Sequence, residues 1–225
     1  MSTILYPIIE SPGASALEYL AQATNRFTEG SLVFLPSTVQ NVDSFENVHL
    51  WQFAENGEFS LPFIDLNQLD ECFLFFDTNH CLAAQIESLL KVLISSQSFR
   101  LGRILSFISA EFVYSQLEKQ SAWFDGVAHF SDVFCFLGRT NQNSSSIKLL
   151  MDRYQTLRYP LEFYQLAKKS NPWSRILSPS PRRVSHIFDS SELLEEDDTP
   201  ENDPFLRRHP NGNRERPIPC PPISN

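Results

Sequence analysis

Glu71-Cys72-Phe73-Leu74-Phe75-Phe76-Asp77 sets five consecutive apolar residues between two acids. A strand with one wet face alternates apolar and polar residues. An unbroken run of this length reads instead as a strand covered on both faces, as strands are in parallel sheets. Parallel neighbours need long crossovers between them, usually helices, and the flanking sequence supplies them. After the run, Leu82, Ile86, Leu89, Leu90 and Leu93 recur near the 3.6 period and predict a helix over Leu82 to Ile94. Gly102 to Ile108 then reads as a strand, Glu111 to Trp123 as a helix, and Asp132-Val133-Phe134-Cys135-Phe136-Leu137 as another buried strand. Helices over Ser145 to Tyr154 and Leu161 to Lys169 close the pattern. Before the run, Val48 to Phe53 alternates as a short strand and is followed by an Asn56-Gly57 turn. Ser31 to Leu35 is a strand ending at Pro36. Ala16 to Phe27 is a helix with Gly30 as its stop, and Ile4 to Ile9 opens the chain as a strand in which Pro7 removes one ladder donor. Strand and helix alternating in this way predict a three-layer α/β domain with a mostly parallel central sheet.

Composition bounds the rest. The chain has 225 residues, 42% of them hydrophobic, and a formal charge of -9, so it is long enough to bury one sizeable core. The acidic balance argues against a broad nucleic-acid surface, which needs a concentrated positive field. No run of 18 apolar residues exists, and Met1-Ser2-Thr3-Ile4 carries no basic leader pattern. A cytoplasmic chain is the expectation. Cys72, Cys81, Cys135 and Cys220 show no CxxC spacing, which argues for reduced thiols rather than a disulfide framework. After Leu177 the composition changes: nine of the fifteen prolines fall between Pro179 and Asn225, around the acidic run Glu192 to Asp198. Residues 1–178 are therefore read as the α/β domain and 179–225 as a Pro-rich, acidic, disordered tail. Val184, Ile187, Phe188, Leu193 and Leu194 offer one short docking element within it.

In an open parallel sheet, ligands gather beyond the carboxyl ends of the strands. The residues there are Glu10 to Ser15, Pro36 to Thr38, Asp77 to His80, Ser109 to Glu111 and Gly138 to Asn141. A phosphate-binding loop needs converging backbone N–H groups and a lysine that reaches the β and γ phosphates. The first loop has one glycine, Gly13, and the first lysine of the whole chain is Lys91. No such lysine can exist here. Ser11, Gly13 and Ser15 could hold an anion at the helix start, with Ser15 as a plain N-cap the simpler reading. Asp77, His80 and Cys81 are metal-ligand types, but Cys72 and Asp77 lie about 17 Å apart along an extended strand and cannot share an ion. No Gly-x-Ser-x-Gly elbow occurs, and Cys135 sits in an apolar strand that disfavours its thiolate. His129 and Asp132 could pair. Arg153, Arg158, Lys168 and Lys169 interleave with Tyr154, Tyr159, Phe163, Tyr164 and Trp173, either as a protein-binding patch or as a helix packed on the sheet.

The order of elements resembles the P-loop GTPases of the metal-chaperone and maturation type, the CobW-like group, and more loosely the wider P-loop ATPases. The matching places are Ser11-Pro12-Gly13-Ala14-Ser15-Ala16-Leu17, then Phe75-Phe76-Asp77-Thr78-Asn79, then Phe136-Leu137-Gly138-Arg139-Thr140-Asn141, with His129 to Val133 leading into the last of these strands. The resemblance covers about residues 3–173 and implies a P-loop NTPase-like fold with a nucleotide crevice at Gly13, Ser15, Asp77 and Arg139. The chain departs from the family in three places. The P-loop lysine is missing, Gly138-Arg139 replaces Asn-Lys, and no Cys-x-Cys-Cys motif occurs. These departures imply a degenerate, non-catalytic member, a scaffold or regulator that works by protein–protein interaction and uses no cofactor. The alternative is a nucleotide-binding or hydrolytic enzyme using the strand-end pocket, with Asp77 and His80 as its polar groups and Arg139 meeting a phosphate or carboxylate. The expected partner is a protein, with a nucleotide as the alternative ligand, and neither a membrane nor a nucleic acid.

Overall fold

The structure, a computed structural model, describes residues 2–24, 31–39, 47–53, 57–62, 69–96, 98–167, 172–177, 180–189 and 198–222. Among them run β1 (Thr3–Glu10), α1 (Ala16–Thr24), β2 (Ser31–Pro36), β3 (Val48–Phe53), β4 (Phe59–Ser60), β5 (Glu71–Phe75), α2 (Leu82–Ser95), β6 (Phe99–Leu101) and β7 (Leu105–Ser109). They continue with α3 (Ala110–Gln116), α4 (Ser121–Phe130), β8 (Val133–Leu137), α5 (Ser144–Thr156), β9 (Glu162–Gln165) and α6 (Trp173–Ile176). The strands form one sheet in the order β4-β3-β2-β5-β1-β7-β8-β9, with β6 also on β1, and the β3–β4 pair alone is antiparallel. The run at 71–77 is the inner strand β5, between β2 and β1.

Alternate residues of each central strand enter two separate cores. Leu5, Ile9, Cys72, Leu74, Phe134 and Phe136 face α2, α3, α4 and α5. Tyr6, Ile8, Phe73, Phe75, Val133 and Cys135 face α1 and α6. This is the three-layer arrangement expected, and it accounts for the lack of polar alternation in β5 and β8.

Pro7 sits in the middle of the sheet, where a missing N–H ordinarily breaks a ladder. In a parallel strand the odd and even residues bond to opposite neighbours. Ile4 and Ile8 bond toward β5, while Thr3 and Leu5 bond toward β6, so Pro7 faces the β6 side. There β6 ends opposite Leu5 and β7 begins opposite Ile8. The absent donor falls at this gap. Gly102 lies in the same break because a Cβ there would stand 2.6 Å from Tyr6 Cε1.

Three expectations need correction. The helix predicted over Glu111 to Trp123 is two helices: continuing the Phe112–Val113 stripe needs apolar residues near 116 and 120, both are Gln, and a new stripe starts at Trp123 and Phe124. Leu161 to Lys169 contains the edge strand β9, parallel to β8, rather than a helix. Its Phe163 and Tyr164 point to opposite cores, a two-residue period that so short a run shows poorly. The third correction is the tail. Residues 180–189 and 198–222 are packed on the domain, with Arg183, Ser185, Ile187, Asp203, Phe205, Leu206 and Ile218 buried. Asp132 accepts from the main-chain N–H groups of Ile104 (2.7 Å) and Arg182 and pairs with Arg183 (3.1 Å). Asp203 accepts from His129 Nε2 (2.7 Å), Ser185 Oγ (2.8 Å) and Phe205 N–H (2.9 Å). Burial pushes the Asp203 carboxyl up, but these bonds and the His129 charge outweigh it and hold the group below its usual range. His129 and Asp132 therefore bind the tail and not each other. Low apolar content keeps a segment from folding alone; it does not prevent docking of a few apolar residues on a finished surface. Phe27, Gly30, Asn56, Lys168, Lys169, Leu193 and Leu194 lie outside the described residues.

Candidate functional site

The chain leaves β1 toward β2 on one side, returns to β5 beside β1, and then crosses to β7 on the other side. Reversals of this kind open a crevice beyond the strand ends, here between the loops after Glu10 and after Phe75.

The first loop is bonded within itself and to β7. Ser11 N–H donates to Phe107 O (2.9 Å), Ala14 N–H to Ser11 O (3.1 Å), and Ser109 N–H to Ser11 Oγ (2.8 Å). Gly13 has φ +75° and Ser15 φ +50°, a region natural for glycine and uncommon for serine. Ser15 is thus not in the extended conformation of an N-cap. The acceptor at the start of α1 comes from Glu10, whose Oε1 takes the Ala16 N–H at 2.6 Å. Burial lifts the Glu10 carboxyl to about 6, against the Ala16 bond that lowers it, with Glu18 adding to the rise. At neutral pH it is an anion lying on a helix N-terminus.

Across the crevice, Asp77 is 4% exposed. Its carboxylate accepts from Thr38 Oγ1 (2.9 Å), Asn79 N–H (2.8 Å) and Asn79 Nδ2 (2.9 Å). Gln85 clamps its main chain, accepting the Asp77 N–H (2.7 Å) and donating to Asp77 O (2.8 Å). His80 Nε2 stands 3.7 Å from Asp77 Oδ2, and the imidazole packs on Phe53 at 4.8 Å. Cys72 and Cys135 are buried in the sheet, where burial pushes the Cys72 thiol up to about 12 and the Cys135 thiol higher still. Neither is a ready nucleophile.

Gly13 and Ser15 border an open depression of about 440 Å³ with Glu10 and Thr78. Asp77 shares Glu10 and Thr78 with it through a neighbouring cleft of about 190 Å³. A third side is closed by the tail: Pro219, Cys220 and Pro221 lie over Glu10, Asp77, Gln85 and Trp123, leaving about 20 Å³, room for roughly one water. No lysine or arginine is among the described residues lining these spaces. Arg139 stands elsewhere. It follows Gly138 at the tip of β8, donates to Gln165 Oε1 and to Ser144 Oγ (3.0 Å), and is separated from β1 by β7, about 10 Å of sheet. The structure brings Gly13, Ser15 and Asp77 together around Glu10 and leaves Arg139 out.

Glu10 was named only as part of the strand-end loop, its capping of α1 unforeseen, and Gln85 went unnoticed in the sequence. Gln85 had a signal, a polar residue on the apolar stripe between Leu82 and Leu89. Among its described residues the basic–aromatic stretch forms no patch: Tyr154 and Trp173 are buried, and Arg153 is paired with Asp125 at 2.8 Å.

The chain matches no protein-family model and no curated protein. Among solved structures it is similar to a zinc-bound triple mutant of the YjiA GTPase, at 11% identity and TM-score 0.52 over 81% of this chain and 67% of that one. Zinc-bound YjiA GTPase from E. coli aligns over the same shares at 12% identity and TM-score 0.49. No helix among the described residues is long and apolar enough to cross a membrane. The resemblance to CobW-like P-loop GTPases holds for the fold, a P-loop NTPase-like mixed α/β sheet with helices on both faces.

Proposed function

We propose that this chain is a non-catalytic P-loop NTPase-like protein that acts in the cytoplasm as a scaffold or regulator by binding other proteins. The observation that carries the reading is the Glu10 carboxylate on the Ala16 N–H, 2.6 Å away. Helix N-termini beside the first strand attract anions because their N–H groups are free and the helix dipole is positive there. An internal anion takes that place here. A phosphate brought to it would meet Glu10 and Asp77, with no lysine or arginine among the described lining residues to offset the repulsion. The residues present do not fit a nucleoside triphosphate, and no hydrolytic step is derived from them. Arg139, the one cation the sequence offered to a phosphate, is bonded at the far side of β7.

Thermal unfolding of the full chain, with and without millimolar GTP or ATP and magnesium, tests this reading. A ligand present at a hundredfold its dissociation constant stabilises the folded state by about 2.7 kcal/mol. The expected result is no shift with either nucleotide. A reproducible rise in the midpoint would replace the scaffold with a nucleotide-binding or hydrolytic protein using the same crevice.

A further inference from the structure

The tail shows in atomic terms what its groove accepts. Arg214 forks onto Glu87 of α2 with bonds of 3.0 and 2.7 Å, and its side chain is 8% exposed. Arg216 reaches Asp125 of α4 at 3.2 Å while its guanidinium lies 4.3 Å over the Phe205 ring. Ile218, 4% exposed, rests on Gly126, where an added Cβ would stand 2.5 Å from Ile218 Cδ1. Pro219 and Pro221 then cap the crevice over Glu10 and Asp77. Arg214, Arg216 and Ile218 are spaced by two, so an extended chain puts them on one side. The prolines at 217, 219, 221 and 222 hold the chain extended and lower the entropy lost when it docks. On residues 1–177 the polar anchors of 214–222 among the described residues are the two guanidinium groups. The segment is also tied to 206–208 by the isolated Arg208–Arg214 bridge, the Glu215 N–H to Arg207 O bond (3.0 Å), the Arg207–Glu215 ion pair and the Arg214 bond to Leu206 O (3.1 Å). Past Glu215 it lifts off by losing Arg216 and the Ile218 seat.

We propose that this groove, from Glu87 past Gly126 to the mouth of the crevice, is a docking site for an extended peptide of another protein with the pattern Arg-x-Arg-x-Ile-Pro, and that residues 214–221 are its built-in competitor. The site is acidic at one end, closely fitted to a branched aliphatic residue in the middle, and at the other end gives the prolines a seat on Trp123 beside Glu10 and Asp77. A basic, proline-bearing segment satisfies all three. The chain's own copy is tethered, so its effective concentration is high and only a partner binding more tightly, or delivered at high local concentration, displaces it. This inference rests on the scaffold reading above and names the chemistry of its partner.

The test is fluorescence anisotropy of a labelled synthetic peptide of residues 212–222, titrated with the full-length chain. Wild-type protein, its groove filled in cis, binds weakly. Ile218→Asp unseats the tail, and the freed groove binds the peptide at least tenfold more tightly. Adding Gly126→Leu, which fills the isoleucine seat, removes that binding, and a peptide carrying Ile218→Asp does not bind to any of the proteins. Equal binding by wild type and Ile218→Asp, or binding that survives Gly126→Leu, overturns the proposal. If circular dichroism shows Ile218→Asp unfolded, the pair Arg214→Glu and Arg216→Glu releases the tail instead. Concentration-dependent dimers dissolved by the peptide would assign the groove to a second copy's tail and overturn the foreign partner. Adding Mg·GTP to the same samples separates the two claims. A nucleotide response defeats the scaffold reading, whereas absent peptide binding without one defeats only the groove.

Discussion

Glu10 is the last residue of β1, at the head of the first strand-end loop, and nothing in its immediate sequence marks it as the acceptor for α1. Its importance comes from turning back onto the Ala16 N–H, a contact across a loop bent by the positive φ values of Gly13 and Ser15. Burial raises its pKa from 4.5 to about 6, so between those values the folded state holds a proton that the unfolded chain has released. Stability from this group is therefore present at low pH, falls as the pH rises from about 4.5 to about 6, and stays level above that, a difference of about 2 kcal/mol. Glu10→Gln cannot titrate. Urea unfolding of both proteins at pH 4.5 and pH 7 should show the wild type losing this stability relative to the variant, and parallel behaviour would place Glu10 in water. Gly13, Ser15 and Asp77 were legible because a parallel sheet sends its strand-end loops to one crevice. The capping role of Glu10 was hidden because a strand-terminal acid is ordinary, and sequence order does not reveal that two strand spacings separate Arg139 from β1.

At the scale of elements, the inner strands were readable and the edges were not. β5 and β8 are long apolar runs whose only physical outcome is burial on both faces, whereas β9 is four residues of mixed character whose strand state comes from pairing with β8. The clearest element-level dependence is at the break between β6 and β7. Gly102 passes within van der Waals reach of Tyr6 and Ile4, and Pro7 faces the same gap. Gly102→Ala should cost about 1–3 kcal/mol through the forced shift of packed side chains. A denaturant midpoint unchanged from wild type would show that the sheet has slack there. Gly57, with nothing within 4 Å of an added Cβ, is the comparison position, where an alanine meets only the penalty of its positive φ.

Over the whole molecule, residues 180–189 and 198–222 pack on the domain, and composition hid this because their few apolar residues suffice only when a surface already exists to receive them. Asp132, fully buried, fastens the tail through Arg182 and Arg183 while holding Ile104. Burial raises its carboxyl despite Arg183, so its partners are what keep it in place. Asp132→Ala leaves the buried Arg183 without this counter-charge and should cost about 3–5 kcal/mol in chemical denaturation; a loss below about 1 kcal/mol would mean that the tail is not fastened there. The crevice of this P-loop NTPase-like fold is filled from within, by Glu10 at the helix start and by Pro219 to Pro221 at its mouth. Hydrogen–deuterium exchange of the full chain, with and without Mg·GTP, reads the helix start directly. Slow exchange at Ala16 that the nucleotide leaves unchanged is expected. Fast exchange at Ala16 in the free chain, together with nucleotide-dependent protection across 13–17, would contradict it.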